Sequence, residues 1–121
     1  MPKILVVDDE PVIVSLLKKF LEKKDYDVVT ASNGTEALER VKVENPKVVL
    51  LDIYMPGKSG LEVLKEIKEQ HKDIGVIMVT AVTDEAVGRR ALDLGAFDYI
   101  IKPFDLDYLE KVLWWKLKLM D

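Results

Sequence analysis

Five short runs of β-branched and aliphatic residues recur along the chain, and a segment of helical periodicity follows each one. Residues 3–8 (KILVVD) are apolar up to the final carboxylate, as a strand buried on both faces must be. Residues 11–23 then place Val12, Leu16, Leu17, Phe20 and Leu21 at helical spacing, with Pro11 suited to a first turn. Residues 26–31 (YDVVTA) predict a second strand. Asn33 and Glu36 form a capping box that opens a helix to about Glu44, and Asn45-Pro46 stops it. Residues 47–52 (KVVLLD) are a third strand, followed by the loop chemistry of Met55-Pro56-Gly57. Ser59 and Glu62 repeat the capping box for a helix to about Gln70. Residues 74–80 (IGVIMVT) are a fourth strand, and Thr83 is the expected cap of a short helix ending near Gly95. Residues 97–101 (FDYII) are a fifth strand, and Asp105 caps a last helix that runs almost to the chain end.

Strands that alternate with helices in this way form a parallel sheet with helices on both faces, an α/β fold. At 121 residues, nearly half of them apolar, the chain supports one core and is expected to be one domain over residues 1–121. With no cysteine, disulfides and thiolate metal sites are excluded, a composition compatible with the cytoplasm. No apolar stretch approaches the roughly 20 residues of a membrane span. Met1-Pro2-Lys3 runs straight into strand-like sequence without a signal-peptide pattern. A net charge of −4 and the lack of a basic cluster argue against direct nucleic-acid binding. No G-x-G-x-x-G or Walker pattern marks a nucleotide site.

In a sheet of this kind the ligand site lies beyond the carboxyl ends of the strands, where strand order reverses. The first run ends in Asp8-Asp9, the third in Asp52, the fourth in Thr80 and the fifth in Lys102. Three carboxylates, one hydroxyl and one ammonium therefore converge on one edge. Clustered carboxylates repel, and one is driven to protonate unless a cation is present. Mg²⁺ is the usual hard cation where phosphate is also bound. A carboxylate beside it can attack a phosphoryl donor and form an acyl phosphate, a reaction that asks mainly for positioning and neutralisation of the equatorial oxygens.

ILVVDDE at residues 4–10, LLDIYMPGKSGLE at 50–62, VTA at 79–81 and DYIIKPF at 98–104 resemble the sequence blocks of response-regulator receiver domains, over the whole chain. The resemblance implies a flavodoxin-like, doubly wound sheet of five strands in the order 2-1-3-4-5, for which the protein CheY is the standard example. It implies that Asp52 is the phosphoryl acceptor, and that Asp8, Asp9 and the backbone carbonyl of Tyr54 hold Mg²⁺ with Asp52, Asp9 being the preferred direct ligand. Thr80 and Lys102 would hold the phosphoryl group. Lys102-Pro103 would be a cis peptide. Tyr99 would be the aromatic switch residue that turns inward as Thr80 moves. The implied partners are a sensor histidine kinase or phosphotransfer protein, and a downstream protein or a second copy of the chain. The implied function is a phosphorylation-dependent switch of a two-component system.

In the family that the chain resembles, the second residue after the acceptor aspartate and the second after the threonine tune hydrolysis of the acyl phosphate; here they are Tyr54 and Val82, which offer no carboxylate or amide to orient water, so the resemblance implies slow hydrolysis. Gly88 interrupts the fourth helix at a cost of about 1 kcal/mol relative to Ala, which close packing or a loosened, moving helix would explain. On the last helix Leu106, Leu109, Leu113, Leu117 and Met120 form a stripe for the sheet. Tyr108, Val112, Trp115 and Leu119 form a second apolar stripe, expected to be a contact surface together with the fourth helix and fifth strand. His71 is expected to be structural, ending the third helix where a cation suits the dipole. A phosphatase of the haloacid-dehalogenase type is a competing reading, but it wants an acid where Tyr54 stands and a cap insertion to enclose substrate. A scaffold that has lost phosphorylation is disfavoured because Asp8, Asp9, Asp52, Thr80 and Lys102 are all present. Since the sequence closes with its last helix, either a stand-alone regulator or a piece of something longer is expected.

Overall fold

A computed structural model describes residues 1–81 and 83–120. It contains β1 (Lys3–Val7), α1 (Pro11–Lys23), β2 (Asp27–Ala31), α2 (Gly34–Glu44), β3 (Val48–Leu51), α3 (Gly60–Gln70), β4 (Gly75–Thr80), α4 (Glu85–Asp93), β5 (Asp98–Ile101) and α5 (Leu106–Leu119). All strand pairs are parallel, in the order β2-β1-β3-β4-β5. The expected α/β, flavodoxin-like order is therefore the one observed.

Alternation along the buried strands divides the core into two layers. Ile4, Val6, Val48, Leu50, Ile77 and Val79 meet Leu17 and Leu21 of α1 and Leu109 and Leu113 of α5. Leu5, Val7, Val49, Leu51, Val76 and Met78 meet Ala37 and Val41 of α2, Val63, Leu64 and Ile67 of α3, and Ala91 of α4. A residue-by-residue change of face is what a period of two demands, and it explains why these strands read as unbroken apolar runs.

The helix signals hold at most ends. Pro11 opens α1. The Asn33 side chain accepts from the Glu36 N–H at 2.8 Å, and Ser59 Oγ accepts from the Glu62 N–H at 3.3 Å. Asn45 ends α2 in the left-handed region, with φ +48°. At α4 the expectation fails by one residue: Asp84, not Thr83, is the cap, its carboxylate accepting from the Ala86 N–H at 2.8 Å. Both residue types can cap, and the start of α4 at Glu85 puts Asp84 in the cap position.

Helix α5 brings the second correction. Val112 is buried in the core layer with Leu109 and Leu113 and does not belong to an outer stripe. It lies three residues after Leu109 and one before Leu113, beside the buried face of the helix, and shares its core layer with Ile100 of β5. Tyr108, Trp115 and Leu119 are exposed as expected, and Trp114 is exposed beside them, its ring 5.3 Å from that of Trp115. His71 sits at the C-terminal cap of α3, its N–H donating to the Ile67 carbonyl.

Candidate functional site

Strand register assembles the site. Val7 pairs with Leu51 and Thr80 with Ile101, so Asp8, Asp52, Thr80 and Lys102 are each placed at, or one residue beyond, the last rung of a ladder. After β1 the chain leaves to one side to form β2, and it returns on the other side as β3. The gap between the carboxyl ends of β1 and β3 is therefore the topological switch point, where the backbone leaves a crevice.

Three polar side chains there are buried, Asp8, Asp52 and Thr80. The Lys102 ammonium lies among carboxylates, donating to Asp8 Oδ2 at 2.7 Å, Glu10 Oε1 at 3.2 Å and Asp52 Oδ2 at 3.4 Å. Asp8 Oδ1 accepts from the Glu10 N–H at 2.9 Å, and Asp52 Oδ1 from the Ile53 N–H at 2.7 Å. The Thr80 hydroxyl also hydrogen-bonds the Asp52 carboxylate. Lys102-Pro103 is cis, as expected.

Burial pushes the Asp52 carboxyl above the ordinary aspartate range. Thr80, the Lys102 charge and the Ile53 N–H oppose that rise, while the nearby Asp8 charge reinforces it. Burial alone would lower the Lys102 ammonium, but its hydrogen bond to Asp8 and the charges of Asp52 and Asp8 outweigh it and hold Lys102 above its usual value.

Asp8, Glu10 and Asp52 each present one oxygen within 4.8 Å of the others. Neighbouring ligands on an octahedral Mg²⁺ stand about 3 Å apart and opposite ones about 4.2 Å, so this hard-oxygen set fits such an ion once the side chains draw together around it. Glu10 was missed in the sequence. Its signal was Pro11: a proline in the first turn makes Glu10 the cap residue of α1, and its side chain makes no cap bond, leaving the carboxylate for Lys102. Asp9 is not in the three-residue group; it is exposed and lines an adjoining cavity of about 410 Å³ with Asp8 and Ser15.

The loop after Asp52 is held by close backbone contact. Gly60 donates its N–H to the Ile53 carbonyl at 2.7 Å, and a Cβ at Gly60 would stand 2.0 Å from the Asp52 carbonyl oxygen. Only glycine allows α3 to start that close to the backbone of Asp52. Tyr54, in this loop, has an exposed side chain. Tyr99 is partly buried against the core. Burial raises its phenol pKa, and the neighbouring Tyr54, Asp84 and Asp52 add to that rise. Its ring also covers Gly88, where a Cβ would meet ring carbons at 3.9 Å. Val82 lies outside the described residues.

Residues 4–113 match the family described as the response regulator receiver domain. The chain is 46% identical over 102 residues to the alkaline phosphatase synthesis transcriptional regulatory protein PhoP of Bacillus subtilis, covering 84% of this chain and 42% of that protein. It is 38% identical over 113 residues to the probable C4-dicarboxylate response regulator DctR of the same organism, covering 92% and 50%. The chain thus spans about half the length of these curated relatives, or less. Among solved structures, the response regulator TrrA of Thermotoga maritima, in complex with Mg²⁺ and BeF, superposes with a TM-score of 0.88 at 41% identity, covering 96% of this chain and 99% of that one. The motifs, strand order and these likenesses agree: the chain belongs to the response-regulator receiver domains of two-component systems, a family of phosphoacceptor switches.

Proposed function

We propose that Asp52 accepts a phosphoryl group from a sensor histidine kinase or phosphotransfer protein, with one Mg²⁺ as cofactor. The observation that carries this reading is the burial of Asp52 within reach of Lys102, Thr80 and two further carboxylates. Asp8, Glu10 and Asp52 would each contribute an oxygen to the ion, a reading supported by their nearness to one another. Asp9 and the Tyr54 carbonyl join the ligand set on the strength of the family resemblance. When bound, Mg²⁺ supplies positive charge to the carboxylates and to a phosphoryl oxygen.

The chain's own residues do the rest. An Asp52 oxygen forms the new bond to phosphorus as the donor's P–N bond breaks, and the electron pair leaves with the donor's imidazole nitrogen. Lys102, released from part of its carboxylate contacts, neutralises one phosphoryl oxygen. The Thr80 hydroxyl, bonded to Asp52 before transfer, turns its hydrogen bond to another. Movement of Thr80 vacates space into which Tyr99 turns, and the surface of α4, β5 and α5 changes its partners. That surface exposes Leu92, Ile101, Tyr108, Trp115 and Leu119, which suits a downstream protein or a second copy of this chain. Tyr54 and Val82 offer no group to activate water at the acyl phosphate, so the phosphorylated form is long-lived, over minutes or more.

The test is incubation of the intact chain with a small acyl-phosphate donor and Mg²⁺, followed by mass spectrometry. A switch gains one phosphoryl group and keeps it; Asp52→Asn gains none and stays folded. Repeated turnover of external phosphate esters would favour a phosphatase, and no labelling would leave a scaffold.

A further inference from the structure

A cavity of about 560 Å³ opens at the amino-terminal edge of the sheet, the end away from the carboxylate site. Lys47, Lys72 and Lys116 line it together with Asn45, and Asp73 is the one carboxylate among the described lining residues. Outside that lining, a fourth ammonium, Lys68, donates to the carbonyls of two lining residues, Lys72 and Ile74, both at 2.9 Å. Among the described residues none of these four ammonium groups forms a salt bridge. Among the described lining residues three cations face one anion, the reverse of a chain whose net charge is −4.

Two of the lysines are held in place. The stem of Lys116 lies across Gly75, where a Cβ would stand 2.6 Å from Lys116 Cε, and its ammonium sits 5.0 Å from the centre of the Phe97 ring. Lys68 is tethered by its two carbonyls. Burial is the larger reason that the Lys68 pKa falls, and the positive charge of Lys116 is the next. A side chain fixed before binding loses less entropy on binding. The cavity also lies within the size range of small-molecule sites.

We propose that this cavity binds a compact polyanion bearing phosphoryl groups. Lysine ammoniums act as point charges for phosphate, and the Asn45 amide offers a neutral donor beside them. The site is separate from the phosphoacceptor edge and stands whether or not Asp52 is phosphorylated.

The test titrates pyrophosphate into the full chain, in EDTA and at physiological ionic strength, by calorimetry and by the methyl signal of Met120, which lines the cavity. The expected result is saturable one-to-one binding with a moving Met120 signal. Lys72→Met and Lys116→Met each weaken it by about five- to tenfold, the worth of one charge at contact distance in water. Asp73→Asn tightens it by a similar factor, and Lys19→Met on α1 leaves it unchanged. Because Lys72 is exposed, its loss does not endanger the fold. Non-saturable heat, an unmoved Met120 signal, or equal affinity in Lys72→Met and the parent chain would overturn the proposal.

Discussion

At the carboxyl end of the sheet, Asp8, Glu10 and Asp52 surround the single ammonium of Lys102. At the amino end, Lys47, Lys72 and Lys116 line a cavity in which Asp73 is the single carboxylate among the described lining residues. The charges are reversed, but burial separates the two ends more than sign does. Asp8 and Asp52 are 3% and 5% exposed, and the Lys102 side chain 12%, whereas Lys47, Lys72 and Asp73 are exposed. Buried charges must find partners or change protonation, so the carboxyl end is locked into a bonded cluster. Exposed ones are solvated at little cost, so Lys47 and Lys72 stand without an ion pair among the described residues. One end is built for chemistry at a chosen atom, the other for electrostatic capture.

Removing one lysine from each end should expose this difference most strongly. Lys102→Met leaves Asp8 and Asp52 without their cation and should cost about 2–4 kcal/mol at neutral pH. Mg²⁺ should restore part of that loss by binding the folded state. Lys72→Met should change stability by less than about 0.5 kcal/mol. Denaturant titrations with and without Mg²⁺ check both, and equal effects would erase the contrast.

Gly60→Ala comes next. Its methyl would overlap the Asp52 carbonyl oxygen, so a loss of about 1–3 kcal/mol, or more, is expected, together with slower phosphorylation. Comparing folded fraction with labelling rate separates the two effects.

A smaller effect follows from the raised pKa of Asp52. A carboxyl whose folded pKa lies above its unfolded value stabilises the fold fully below the unfolded pKa, and that contribution is lost as pH rises through the folded pKa. Without Mg²⁺, Asp52→Asn should therefore be more stable than the parent at neutral pH. The gap should close as pH falls through the Asp52 titration. A gap that widens toward acid would mean that Lys102 and Thr80 outweigh burial.

The smallest expected effect is at Gly88. Alanine there gains about 0.5–1 kcal/mol of helix propensity, and its methyl would rest on the Tyr99 ring at ordinary contact distance. Thermal unfolding checks the gain. A destabilised Gly88→Ala would show that close packing fixes this position.

Much of this was legible in the sequence because burial on both faces leaves an unmistakable pattern. Apolar runs marked the strands, and the last residue of each run marked the site: Asp8, Asp52, Thr80 and Lys102 all stand where a parallel sheet required. Residues governed by a single turn of backbone were harder to read. Glu10 joins the carboxylates only because Pro11 makes it a cap residue, and Asp84 displaces Thr83 as the α4 cap because the helix starts at Glu85. Val112 belongs to the core layer that also holds Ile100 of the edge strand, which helical spacing within α5 does not reveal. The lysine cavity was invisible in the sequence because its lining comes from three separate segments of the chain.

The central claim is that Asp52 alone among the clustered carboxylates becomes the nucleophile. After treatment with an acyl-phosphate donor and Mg²⁺, borohydride reduction converts an aspartyl phosphate to homoserine, which peptide mass spectrometry locates. The account predicts homoserine at position 52 only, and none when the divalent cation is chelated. Homoserine at position 8 or 9, or labelling that is indifferent to Mg²⁺, would contradict it.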